Sequence, residues 1–220
     1  MGWGIRDRLL RASWLLGLAL LVAMPVMGTA AAGERVLVLG DSLSAAYNMP
    51  TEAGWVARLS ERLGPDARVI NAAISGETTA GGRARLPDAL ERHQPSIVII
   101  ALGGNDGLRG ISPDAMRENL LAMIERARAA GARVVLAGVR LPSNYGSAFI
   151  ERFRRVYRDV AERAGVVLIP QLLAGVAKDP SLMQSDGIHP NQKAQPVILS
   201  TVWSALAPLL ESDPATPTAD

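Results

Sequence analysis

A chain of 220 residues, 49% hydrophobic and 20% charged, suits one globular domain and is long enough to bury a full core. Its formal charge of +2 resides entirely in residues 1–32, where Arg6, Arg8 and Arg11 face only Asp7, so no basic stripe remains for a nucleic acid. The chain has no cysteine, which excludes disulfides, thiol catalysis and thiolate metal sites.

The N-terminus runs from a basic segment through an apolar stretch, Trp14 to Val26, into small residues. That order is the pattern of a secretory signal peptide, with cleavage expected after Ala32 and with Ala30 and Ala32 as the small flanking positions. The apolar stretch is short for a membrane span, which needs about 20 residues. The expected product is exported to the periplasm or secreted, with no stable membrane insertion after cleavage.

Residues 35–40, RVLVLG, form a continuous apolar run, as expected of a strand covered on both faces. The run stops on Gly40 and presents Asp41 and Ser42. This is either a capping or phosphate-cradling turn, or a serine nucleophile at the rim of a sheet. Helical spacing over 54–64 ends on Gly64, and 67–75 reads as a second strand that leads into Ser75-Gly76-Glu77. A helix is expected through 82–94, with Pro87 as a kink or restart, and a third strand over 96–104 that leads into Asn105 and Asp106 of Gly-Gly-Asn-Asp. Next come a helix at 113–131, a strand at 132–139, a helix at 147–164, a strand at 165–170 and a last helix at 191–210. The domain is expected to span 33–212, and 213–220 forms a polar, Pro-rich tail expected to be disordered.

Five strands alternating with helices predict a doubly wound α/β sheet with right-handed crossovers, whose site lies beyond the carboxyl ends of the strands. Of the two histidines, His93 ends a helix at the opposite edge, so His189 is the imidazole available to Ser42. Asp186, three residues earlier, has the spacing to hold the other ring nitrogen. The Ser42 and Gly76 backbone N–H groups and the Asn105 side-chain amide are the candidate donors to a developing oxyanion. Taken singly, each fragment also has an ordinary reading as a turn or cap.

Two other classes compete. In a non-catalytic α/β ligand-binding module, residues 40–44 would cradle a phosphate, though they lack the glycine spacing of a phosphate loop. A metal-assisted hydrolase would use Asp106, Asp186 and His189, a set poor in ligands for a tight site. No metal and no cofactor are expected.

Four blocks in order, GDSLS (40–44), SGE (75–77), GGND (103–106) and DGIHP (186–190), resemble those of the SGNH or GDSL hydrolases. The similarity to the thioesterase I/arylesterase type of that family extends over nearly the whole mature chain, through ARLPDAL, RLPSNYG and MQSDGIHPN. The serine–aspartate–histidine order matches the α/β-hydrolases, but the G-x-S-x-G elbow is missing. The resemblance implies a three-layer α/β/α flavodoxin-like fold with a five-stranded parallel sheet. It also implies Ser42 as nucleophile and oxyanion donor, Gly76 and Asn105 as further donors, His189 as base and Asp186 as its orienter. The implied substrates are small-molecule acyl esters or thioesters: aryl esters, acyl-thioesters and lysophospholipids. The acyl group would lie in a shallow groove between loops 107–112 and 140–146, which makes Leu108, Leu141 and Tyr145 the expected groove residues. The expected state is a monomer.

Overall fold

The computed structural model describes residues 33–211, so the expected signal peptide and C-terminal tail lie outside the described residues. Five strands, β1 (Arg35–Gly40), β2 (Arg68–Asn71), β3 (Ile97–Ala101), β4 (Arg133–Ala137) and β5 (Val167–Ile169), form one parallel sheet. Their spatial order is β2-β1-β3-β4-β5, the flavodoxin-like order. The helices are α1 (Trp55–Leu63), α2 (Thr79–His93), α3 (Gly104–Leu108), α4 (Pro113–Ala129), α5 (Ser147–Ala164) and α6 (Gln195–Glu211).

Alternate residues of the central strands feed two separate cores. Leu37, Leu39, Val98, Ile100 and Leu136 pack against α2, α4 and α5. Val36, Val38, Ile97, Ile99 and Val135 pack against Trp55 and Leu59 of α1 and Ile198, Val202 and Leu206 of α6. Each fully buried branched aliphatic contributes about 1.5–3 kcal/mol. With Val36 to Leu39 all at 0% exposure, β1 is among the most firmly anchored strands, and it carries Ser42 at its end.

The structure departs from the sequence expectations at three points. β2 stops at Asn71, because the Asn71 side chain takes over: its oxygen accepts from Ala73 N–H and its amide donates to the Ser44 carbonyl. α2 starts at Thr79, earlier than expected, because the Thr78 hydroxyl caps it by accepting from Gly81 N–H, and the helix runs on through Pro87. Gly-Gly-Asn-Asp is not a simple turn, since residues 104–108 form the short helix α3. Gly103 makes that entry, with φ at 115° and a position where a Cβ would lie 2.3 Å from the Tyr157 hydroxyl. Only glycine fits there.

β1 and β3 are neighbours whose outgoing connections run to opposite faces of the sheet. The crevice at that switch point receives Ser42 from β1 and α3 from β3.

Candidate active site

The segment after β1 is a tight turn in which the Asp41 carbonyl accepts from the Ser44 and Ala45 N–H groups, at 3.0 Å each. It is pinned from two sides: Trp55 Nε1 donates to the Leu43 carbonyl and Asn71 Nδ2 to the Ser44 carbonyl, each at 3.0 Å. Turns continue to Asn48, and the next α-helix begins at Trp55. A phosphate cradle needs a helix N-terminus directly after the glycine turn, and this segment lacks one.

His189 reaches this turn from the far end of the chain. Its Nε2 lies 2.9 Å from Ser42 Oγ, and its Nδ1 lies 2.7 Å from Asp186 Oδ2. The other carboxylate oxygen of Asp186 accepts from the N–H groups of Ile188 and His189, at 2.9 and 3.0 Å. The His189 N–H is the main reason that the Asp186 carboxyl is held down to about 2, with the imidazole and the Ile188 N–H adding to it against some desolvation. An ionised carboxylate only accepts, so Nδ1 carries the imidazole proton and Nε2 presents a lone pair to the Ser42 hydroxyl. This arrangement can strip the proton from Ser42 as its oxygen attacks a carbonyl.

Gln184 was not singled out by the sequence. Its amide nitrogen donates to the carbonyls of Tyr47 and Pro190, at 2.9 and 3.1 Å, and its oxygen accepts from Asn48 Nδ2 at 3.2 Å. It therefore ties the serine loop to the histidine loop. The Tyr47 ring lies over the imidazole with centroids 4.3 Å apart.

The three candidate oxyanion donors keep unspent hydrogens. Neither the Ser42 nor the Gly76 N–H has an acceptor among the described residues. Gly76 sits at φ 80°, and its carbonyl accepts from Arg109 Nη2 at 2.8 Å. Asn105 Nδ2 gives one hydrogen to Asp41 Oδ2 at 3.2 Å and retains the other. Asp41 is 2% exposed, and burial pushes its carboxyl up to about 6 despite the Leu43 N–H, His189 and Asn105, which favour its ionised form.

A cavity of about 380 Å³ opens beside Ser42, Asn105 and His189. Leu108 and Leu141 border it, although Leu141 is largely buried, with Gly107 behind it. Tyr145 does not border it. Its hydroxyl donates to the Leu108 carbonyl at 3.0 Å and so braces loop 107–112 against loop 140–146. The wall that sequence reasoning missed is made by Leu173, Ala177, Met183 and Ile188, between β5 and α6. The signal was available: that segment also leaves the carboxyl edge of the sheet and is rich in apolar residues.

Asp106 turns away from Asp186 and His189. It is fully buried, and its two oxygens accept from the Thr79 N–H and hydroxyl, locking α3 to the start of α2. The Asp106, Asp186 and His189 set weighed for a metal is therefore not assembled, and no cluster of three or more potential metal-binding acids and histidines occurs among the described residues. His93 ends α2 at the opposite edge of the sheet.

The sequence pattern of the GDSL-like Lipase/Acylhydrolase family matches residues 38–195. Esterase TesA of Pseudomonas aeruginosa is 50% identical over 192 residues, which cover 86% of this chain and 96% of that protein. A protein of Escherichia coli K12, thioesterase 1/protease 1/lysophospholipase L1, is 44% identical over 84% of this chain and 88% of its own length. Among solved structures, the crystal structure of TesA superposes with a TM-score of 0.78 at 51% identity, covering 80% of this chain and 99% of that one.

Proposed function

Because the chain belongs to the GDSL-like lipase/acylhydrolase family, we propose that it is a serine esterase and thioesterase working through an acyl-enzyme on Ser42. The single observation that carries this reading is the relay from Ser42 Oγ through His189 to Asp186, with contacts of 2.9 and 2.7 Å.

His189 Nε2 takes the Ser42 proton while Oγ adds to the acyl carbonyl. The oxygen that becomes negative is held by the Ser42 and Gly76 N–H groups and the free hydrogen of the Asn105 amide. The imidazolium, steadied by Asp186, then protonates the departing alkoxide, aryloxide or thiolate. Water attacks the acyl-enzyme with His189 again as base, releasing the carboxylic acid and restoring the serine. Every proton in this cycle passes through one ring nitrogen.

The substrates are small-molecule carboxylic esters: aryl esters, acyl-thioesters and lysophospholipids. The apolar walls of the cavity suit the acyl group, with Leu108 and Leu141 on one side and Leu173 and Met183 on the other. Residues 1–32 act as an export signal removed after Ala32, a reading that rests on their basic, apolar and small-residue order. Among the described residues, no helix is long and apolar enough to cross a membrane.

The test is a fluorescent organophosphonate. It should label the wild-type protein on Ser42 and leave Ser42→Ala unlabelled. Labelling that persists in the variant, or ester hydrolysis that survives it, would put the nucleophile elsewhere.

A further inference from the structure

We propose that Asp41 is a positioning residue for the oxyanion hole: its buried carboxylate decides which end of the Asn105 amide faces the substrate. This deepens the proposed function and rests on it.

An asparagine side chain has two orientations of nearly equal shape. One offers N–H to the developing oxyanion; the other offers a carbonyl oxygen, which repels it. Asp41 Oδ1 is taken by the Leu43 N–H at 3.0 Å, which leaves Oδ2 for Asn105 at 3.2 Å. An ionised carboxylate cannot donate, so only the NH2 end of the amide can sit against it. Both hydrogens are on that nitrogen, and the second is the one left for the substrate. At 2% exposure, Asp41 has little water to take its place.

The α3 backbone comes close enough to keep the pair together, since a Cβ on Gly104 would lie 3.4 Å from Asp41 Oδ2. Two titratable groups act on Asp41 from other elements. The His189 imidazole, in its cationic form, favours the Asp41 charge, and the Tyr157 phenol of α5 is disfavoured from ionising by burial first and then by Asp41 and Asp106. Protonation of Asp41 would supply an O–H donor and so make the wrong Asn105 orientation equally well bonded.

The substitution Asp41→Asn separates this from a packing role. The Leu43 N–H retains the oxygen end of the new side chain, so its NH2 faces Asn105 and draws the Asn105 oxygen inward. We expect kcat to fall by about 10²–10³, as for Asn105→Ala, with KM within about twofold. The double variant should be no slower than Asn105→Ala alone, within about threefold. Independent, multiplicative losses would overturn the proposal. So would a near wild-type kcat in Asp41→Asn while Asn105→Ala is crippled, and in that case the oxyanion reading survives. A normal kcat in Asn105→Ala removes the oxyanion reading and this proposal with it. Should Asp41→Asn fail to fold, the acid limb of kcat decides. It should fall more steeply than one proton in wild type and with one proton in Asn105→Ala; equal one-proton limbs would overturn the proposal.

Discussion

Burial lifts the Asp41 carboxyl from 3.8 to about 6, which makes its charge a cost to the fold. With the folded value above the unfolded one, the folded chain is stabilised at acid pH, and that advantage disappears as pH rises from about 3.8 through about 6. At roughly 1.4 kcal/mol per pKa unit, the charge costs on the order of 3 kcal/mol above that window. Asp41→Asn should therefore melt higher than wild type at pH 8, with a smaller gain near pH 4, even as it loses turnover. Thermal melts at the two pH values check this, and an equal loss of stability at both would contradict it. Asp186 behaves in the opposite sense. Its carboxyl, held near 2, stays ionised wherever the enzyme works, so Nδ1 of His189 keeps its acceptor throughout that range. Asp186→Asn offers Nδ1 a donor in place of an acceptor and reverses the tautomer. It should cost about 10⁴ in kcat with a far smaller effect on melting temperature, because the amide keeps nearly the shape of the carboxylate and its oxygen can still accept from the Ile188 and His189 N–H groups. Ser42→Ala and His189→Ala should each cost on the order of 10⁴–10⁶, and their combination little more, since they act as a unit.

The elements that surround the cavity are loops leaving the same edge of the sheet, and each is braced by a specific bond. Tyr145→Phe deletes only the hydroxyl that holds the Leu108 carbonyl, so it should cost about 1 kcal/mol of stability and leave short esters turning over. Leu108→Ala and Leu173→Ala instead remove apolar wall from the two sides of the cavity. A fully buried methylene is worth about 0.8 kcal/mol, so each added carbon should raise kcat/KM by less than about fourfold until the cavity ends. Both alanine variants should flatten that trend. The measurement is a series of nitrophenyl esters from acetate upward, kept below micelle formation. Equal losses on short and long esters would mean that these leucines shape the catalytic centre, not the acyl wall.

In the molecule as a whole, residues far apart in the chain meet because the strand order puts β1 beside β3. Gly103 is where the sheet, α3 and α5 converge, and Gly103→Ala would force a Cβ onto the Tyr157 hydroxyl at 2.3 Å with φ at 115°. That substitution should destabilise by more than about 3 kcal/mol, through overpacking and backbone strain together. A denaturant melt measures it, and a shift of less than about 1 kcal/mol would show that Tyr157 yields without cost. The export reading is tested on the full chain expressed in a bacterial host with a periplasm. Fractionation should recover activity outside the cytoplasm, and N-terminal sequencing should begin at Gly33.

What could be read from the chain alone was whatever depends on near neighbours. The apolar run at 35–40 is a strand buried on both faces, and the alternation of strands with helical spacing predicts the doubly wound sheet. Asp186 and His189 share one short loop, so their pairing needed no tertiary information, and the scarcity of histidine left one partner for Ser42. Local pattern misled where a side chain competed with the backbone, as Asn71 does in ending β2 early, and where glycines hid the short helix α3. Only the tertiary structure decided that Asp41 lies buried against Asn105, that Gln184 bridges two loops, that Tyr145 is a brace, and that residues 173–188 supply the second wall. The physical reason is the same in each case. Burial, a carboxyl pushed up to about 6 and the polarity of an amide are set by the groups that strand order brings into contact, and neighbours in sequence do not encode them.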